Sequence, residues 1–523
     1  MNERAKYFNI TGPCIPGKHY MVDTGPKLRT IVRDYIDRGE YFTINRPRQY
    51  GKTTTLFLLE RALADECLVL RLSFEGRDDY FDSLAHFANS VRQDIAYAVA
   101  PEDQALADIW DAAREDESPT NYLRSRISAF CAASGKPVVL MIDEVDMATN
   151  FQVFNAFLGM LRDMYISRET GSADTFQSVI LAGVTDIKNL KRKIRPEEHS
   201  GVNSPWNIAA EFTVDMSFAA GEIAGMLRAY EADHATGMDA DAVAERIYFY
   251  SDGYPFLVSK LCKMIDEGSL DWTARGVDEA EKRLLGEDNT LFDDLIKNIQ
   301  GYPELGRMLE RMLLEGSKPP FDRGDLPISI GLMYGILKED ERDLRIANVI
   351  FETKITNYFI SVFSRKEPVR GVSTESSLFI KNGRLNMDTV MSRFAHFMST
   401  EYRDRDSGFI ETNARLLFLS FLKPIINGAG HYAVEPETRG DRRMDIRVFF
   451  GGEEQIVELK LWRGEAYEQE GIAQLAEYLG ILGHAKGWLL SFCDLKKTPR
   501  EGGVYEVDGR TIAETVVAFK DNP

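Results

Sequence analysis

Cysteine is scarce and unpatterned in this chain. The five cysteines, Cys14, Cys67, Cys131, Cys262 and Cys493, are scattered, odd in number and form no Cys-x-x-Cys pair. They read as reduced, mostly buried thiols of a cytoplasmic protein rather than a disulfide framework. No apolar run approaches a membrane span. The first residues, Met-Asn-Glu-Arg-Ala-Lys-Tyr, have no signal-peptide core. No membrane partner is therefore expected. Internal repeats and low-complexity tracts are also missing. Positive charge is in deficit: 63 Lys and Arg against 82 Asp and Glu give a formal net charge of −19. That argues against a protein that coats nucleic acid uniformly. It leaves room for a local basic groove, and metal-dependent sites are acidic in any case. What the chain does have is length. Its 523 residues are too many for one core, so several domains are expected.

The most informative stretch is Tyr41-Phe-Thr-Ile-Asn-Arg-Pro-Arg-Gln-Tyr-Gly-Lys-Thr-Thr-Thr-Leu-Phe-Leu-Leu. It predicts a strand over Tyr41–Ile44, a tight loop, and a helix opening near Thr53. This is the order of a phosphate-binding loop, in which backbone N–H groups and a helix N-terminus face anionic oxygens. Gly51 lets the backbone approach closely, Lys52 would reach the outer phosphates, and the Thr53 hydroxyl would ligate magnesium. Arg48, Gln49, Tyr50 and Thr54 complete the predicted nucleotide-binding set. The pattern's first glycine is replaced by Arg46.

A second signal is Pro137-Val-Val-Leu-Met-Ile-Asp-Glu-Val-Asp. Apolar residues followed by acids predict a buried parallel strand with carboxylates at its C-terminal end, where open α/β sheets place ligands. Asp143 would hold magnesium and Glu144 would polarise the attacking water, the division of labour that phosphoryl transfer needs. Further strands are expected at Cys67–Phe74, at Ser178–Val184 and near Phe212. Thr185 and Asp186 follow the third of these as candidate γ-phosphate sensors or simple strand-end caps. The basic run Lys188, Lys191, Arg192, Lys193 and Arg195 could face nucleotide, a neighbouring subunit or nucleic acid, or be a solvated helix. Alternating strands and helices give a mostly parallel sheet covered on both faces.

Arg46-Pro-Arg-Gln-Tyr-Gly-Lys-Thr-Thr-Thr-Leu resembles the phosphate loop of the prokaryotic AAA-ATPase-like family, which also lacks the first glycine. Tyr20-Met-Val-Asp and Ser204-Pro-Trp-Asn-Ile-Ala resemble further segments of that family. The resemblance implies ATP binding with Mg2+, and it covers roughly residues 1–290. Beyond Phe218 the pattern turns helical. Gly253 and Pro255 resemble the Gly-x-Pro turn in the helical lid of AAA-type and STAND-type ATPases. A hairpin around Met333–Asn348 followed by a helix has the shape of a winged-helix wing, and Arg365–Ser377 reads as a linker.

The C-terminal stretch holds a third pattern. Phe409 to Leu422 predicts a helix starting near Glu411. Two strands then form a hairpin, Met444–Phe450 and Gln455–Trp462. Met444, Ile446, Val448 and Phe450 share one face, leaving Asp445 on the other, and Glu458 and Lys460 point together away from Val457 and Leu459. Asp445 and Glu458 would hold magnesium, which activates a water. Lys460 would orient that water or steady charge on the phosphate. A helix over Glu465–Leu482 carries Gln474 and Tyr478 on one side. This order resembles the PD-(D/E)XK nuclease superfamily, in which the Gln-x-x-x-Tyr pair sits against the site. Glu411 matches an acidic metal-binding residue of its opening helix. A rival spacing, Asp343, Glu352 and Lys354, lacks the paired strands and the following helix.

The sequence thus predicts an α/β multidomain protein. A P-loop, RecA- or AAA-like domain with a mostly parallel sheet spans 1–216, a helical lid 217–290, a winged-helix-like region 291–370, a linker and helical connector 371–405, and a smaller α/β PD-(D/E)XK nuclease-like domain 406–523. The expected function is an ATP-binding and ATP-hydrolysing protein controlling a Mg2+-dependent nuclease, with Mn2+ able to substitute. Its partner would be nucleic acid, DNA before RNA, and a homo-oligomer is open. A role in defence or mobile-element biology fits the domain pairing. The alternative is a STAND-like regulatory switch whose C-terminal domain binds nucleic acid or a partner without cutting.

Overall fold

In a computed structural model of the protein, the apolar runs of the N-terminal half form four parallel strands. The structure describes residues 5–110, 118–148, 151–184, 205–315, 317, 319–340, 343–366, 378–400, 411–426, 430–434, 445–462, 465–493 and 501–518. The chain divides into two compact units, one of residues 1–284 with 330–336 and one of 285–329 with 337–523. Residues 217–284 of the predicted lid thus fall in the first unit. Residues 406–523 share the second with most of 291–370.

The first unit is built on strands β3 (Tyr41–Asn45), β4 (Leu68–Ser73), β5 (Val138–Asp143) and β6 (Ser178–Gly183), in the spatial order β3-β6-β5-β4. All neighbours are parallel. Every residue of β5 and β6 is buried, as expected when both faces of a parallel sheet are covered. Alternation along the strands divides the core. Leu140, Ile142, Val179 and Leu181 pack with Phe87, Ile127 and Phe157, on helices Leu84–Val99, Pro119–Ala133 and Phe151–Glu169. Val139, Met141, Ile180 and Ala182 pack with Leu56, Leu59 and Leu63 of α2 (Lys52–Leu63). Two short strands precede the sheet: β1 (Tyr7–Phe8) pairs in parallel with β2 (His19–Tyr20), a pairing too short for the sequence to announce.

The expected strand near Phe212 does not form; among the described residues this region makes one isolated bridge, Ala210 with Phe42. Side chains take the backbone groups a ladder would use. Arg46 donates to the carbonyls of Phe212 and Val214, and the Tyr35 hydroxyl serves Glu211 O and Thr213 N. Between β4 and β5 the described residues form helices Leu84–Val99, Gln104–Asp108 and Pro119–Ala133. Thr185, Asp186 and the basic run that follows lie outside the described residues.

After the sheet come helices Ala220–His234, Ala240–Ser251, Pro255–Glu267 and Ala274–Gly286. Pro255 stands at the first helical position, where its missing N–H costs nothing. The second unit contributes helices Thr290–Gly301 and Pro303–Glu315, an antiparallel hairpin of β7 (Leu337–Asp340) with β8 (Asp343–Ile346), a helix Val349–Lys366, and a short antiparallel pair β9 (Ile380–Lys381) and β10 (Arg384–Leu385). Glu352 and Lys354 lie on that helix, which removes the rival Asp-Glu-Lys spacing.

The same unit holds a six-stranded mixed sheet. Its strands are β11 (Gly430–Val434), β12 (Asp445–Phe450), β13 (Glu453–Leu461), β14 (Lys486–Cys493), β15 (Val504–Val507) and β16 (Arg510–Ala518), in the order β11-β12-β13-β14-β16-β15. The first three are antiparallel neighbours, and β13, β14 and β16 run parallel. The helix Glu465–Leu482 makes the crossover from β13 to β14, because a parallel pair cannot be joined by a tight turn. It seats Ile472, Leu475 and Leu479 on Ile456, Leu489 and Ile512.

Candidate functional site

The loop between β3 and α2 is shaped by two residues in the left-handed region, Gln49 at φ 57° and Gly51 at φ 81°. Gly51 is the N-cap of α2. Lys52 follows, 6% exposed. Its Nζ donates to the carbonyls of Arg46 (3.0 Å) and Pro47 (2.9 Å). Burial lowers the pKa of this ammonium, while Glu144, Asp146 and Asp143 oppose the shift. Arg46 does not need to be glycine. Its guanidinium turns out of the loop, lies 5.1 Å from the Phe212 ring centroid and donates to Val214 O at 2.8 Å.

The strand order puts β6 between the loop strand and β5, yet the first turn of α2 reaches the end of β5. Thr53 Oγ1 donates to Asp143 Oδ2 at 2.8 Å, and Glu144 N donates to the other Asp143 oxygen at 3.0 Å. A hydroxyl and a carboxylate converging at a helix N-terminus are the hard oxygen donors that magnesium takes when phosphates complete its shell. Asp143 is buried, and Glu144 sits in a left-handed turn at φ 52°. Burial, followed by the charge of Asp143, raises the Glu144 carboxyl above its usual range, and Lys52 pulls it down. Such a carboxyl is a better proton acceptor near neutral pH. Thr54 is placed differently from Thr53: its hydroxyl accepts from Cys14 N at 3.0 Å, tying the N-terminal segment to α2. Arg48 and Gln49 are exposed.

One site contact went unread in the sequence. The Tyr254 hydroxyl donates to Arg48 O at 2.6 Å, and its ring meets Tyr50 edge-on at 4.8 Å. The available signal was its place inside Gly253-Tyr-Pro255. Gly253 has φ 71°, and a Cβ there would lie 2.1 Å from Phe218 O.

In the second unit, Asp445 and Glu458 are register partners across β12 and β13, and directly opposed residues share a sheet face. Lys460 Nζ lies 3.1 Å from Glu458 Oε1 and donates to Gln474 Oε1 at 2.8 Å. Glu458 is 4% exposed and Lys460 8%. Gly471, one helical turn before Gln474, is in contact with the Lys460 stem; a Cβ there would stand 3.3 Å from Cδ. Tyr478 packs on the apolar cluster beneath the helix. Glu411 is the first residue of the helix Glu411–Ile426, but its side chain and that of Asp445 lie outside the described ones. Among the described residues no group of three or more His, Cys, Asp or Glu gathers as a metal site.

A sequence model of the AAA-like domain matches residues 18–317, more than half of the chain. The chain belongs to the AAA-like domain family. The matched stretch contains the loop, Asp143, Glu144 and the Gly253-Tyr-Pro turn, and it ends before β12 and β13. Solved structures are also similar to the chain at low identity. A Walker-type ATPase of Pyrococcus abyssi is 12% identical with a TM-score of 0.44, covering 66% of this chain and 99% of its own. The ORC2 protein of Aeropyrum pernix is 12% identical at 0.36, covering 66% and 96%. RuvB of Thermotoga maritima is 14% identical at 0.32, covering 62% and 92%. No curated protein matches the sequence. Among the described residues no helix is long and apolar enough to cross a membrane.

Proposed function

We propose that this AAA-like protein binds and hydrolyses ATP at the loop of residues 46–54, and that the nucleotide cycle controls a magnesium-dependent nuclease built on Asp445, Glu458 and Lys460. The observation that carries the reading is the Thr53–Asp143 hydrogen bond, which joins the phosphate loop to the acidic strand end. Thr53 and Asp143 would hold magnesium. When bound, the ion neutralises charge on the phosphate oxygens. Lys52 leaves the carbonyls of Arg46 and Pro47 for the outer phosphates. Glu144 takes the proton of the attacking water.

The nuclease half is supported by the order helix, three antiparallel strands, helix, parallel strand, and by the Glu458–Lys460–Gln474 network. In this reading residues 1–216 are the ATPase, 217–290 its lid, 291–370 a winged-helix relay, 371–405 a connector and 406–523 the nuclease. Asp445, Glu458 and Glu411 would hold the second ion. Lys460, fixed by Gln474 with Tyr478 behind it, orients water against a phosphodiester, DNA before RNA.

The test is cleavage of single- and double-stranded DNA and RNA with Mg2+ or Mn2+, with and without ATP, in the wild type and in Lys52→Ala. The wild-type rate should change with ATP, and Lys52→Ala should lose that response. Equal rates in all arms would refute the coupling. No cleavage of any substrate would remove the nuclease and leave the switch that binds without cutting.

A further inference from the structure

Asp146 stands where the ends of β5 and β6 adjoin beside the phosphate loop. After Asp143 the chain makes the left-handed turn at Glu144 and a short 3-10 turn over Val145–Met147. From there Asp146 Oδ2 accepts the N–H of Val184, the residue that follows β6. On the other side of that strand end, Gly183 O accepts from Arg46 N, the first residue of the phosphate loop, at 3.1 Å. The end of β6 is thus held by the loop on one side and by the acidic turn on the other. Gly183 permits this closeness. A Cβ there would lie 2.8 Å from Val145 Cγ2 and 2.9 Å from Asp146 Oδ2.

We infer that Asp146 is a positioning residue for ATP hydrolysis: by binding the Val184 amide it fixes the turn that carries Glu144 relative to the phosphate loop. This rests on the ATPase reading given above. Asp146 touches neither phosphate nor water in this account; it acts through Glu144. A base displaced by about an ångström loses on the order of a hundredfold in rate while binding is spared. Loss of Asp146 should therefore appear in kcat and leave KM alone.

The experiment measures steady-state ATP hydrolysis and equilibrium ATP binding in the full chain for the wild type, Asp146→Ala, Asp146→Asn and Gly183→Ala. Asp146→Ala should lower kcat roughly tenfold to a hundredfold with KM and affinity within twofold. Asparagine still accepts the Val184 N–H, so Asp146→Asn should recover most of the rate. Gly183→Ala, which crowds Asp146 from β6, should repeat the kcat loss. An unchanged kcat in Asp146→Ala, or a loss confined to KM, would overturn the role while leaving the ATPase intact. A wild type that binds ATP without turnover would overturn both.

Discussion

Glu458 and Lys460 are buried charges that depend on each other. Removing one leaves the other desolvated without its opposite charge, which costs about 3–5 kcal/mol in such pairs. Glu458→Ala should therefore lower the denaturant midpoint of the second unit as well as abolish the proposed cleavage. Glu458→Gln should abolish cleavage with a smaller stability loss. If both variants cut at the wild-type rate, Glu458 is a structural charge only. Lys52 and Thr53 were readable because their spacing from Gly51 encodes their chemistry. Arg46 was not, because its partners Phe212 and Val214 are distant in sequence. In the second unit strand alternation puts Glu458 with Lys460 and helix spacing puts Gln474 with Tyr478, whereas the Lys460–Gln474 hydrogen bond joins two elements that neither period relates. Thr54 was assigned to the nucleotide from its place in the phosphate-loop pattern, and its hydroxyl accepts from Cys14 N.

The helices after β6 show what an element adds. The helix Pro255–Glu267 starts at a turn that only glycine at 253 allows, and its first residues carry Tyr254 to the phosphate loop. Tyr254→Phe loses a hydrogen bond, a change of about 1 kcal/mol, and should raise KM for ATP a few-fold with kcat little changed; an unaltered KM would show that the contact plays no part in nucleotide binding. In the last of these helices Glu281 is almost fully buried beside Asp278 and Arg246. Burial, then the charge of Asp278, lifts its pKa from the ordinary 4.5 to about 8, against the pull of Arg246. The native state holds a proton that the unfolded chain has released between those values, so stability falls as pH rises through that window. Glu281→Gln should flatten the pH dependence of the melting temperature between pH 5 and 8 and raise its value at pH 8. Equal slopes in both proteins would show that Glu281 is ionised throughout. Helix and strand positions were mostly legible because apolar periodicity sets them. The missing strand at Phe212 was not, because side-chain hydrogen bonds from Tyr35 and Arg46 took its ladder groups.

For the whole chain, two compact units imply that unfolding is not a single two-state event. Calorimetry should resolve two transitions. Magnesium-ATP at a hundred times its dissociation constant should stabilise the one that contains the phosphate loop by about 2.7 kcal/mol. Lys52→Ala should lose that shift. A single transition, or an equal shift in both, would mean that the units unfold together. With a net charge of −19, the proposed nucleic-acid binding should be local and weaken steeply with salt.

The sequence alone determined which chemical groups each short stretch brings together. The loop at Gly51–Thr53, the acids at Asp143–Glu144 and the Glu458-x-Lys460 pair are local patterns, in which spacing along one strand or one turn brings the groups together. Tertiary structure alone decided which distant groups complete them. The first turn of α2 meets the end of β5 through Thr53 and Asp143, Tyr254 reaches Arg48 from 206 residues further on, and Asp146 holds the residue that follows β6. These contacts follow from the order of strands in a sheet, which depends on how buried faces pack together and leaves no periodic trace in the chain.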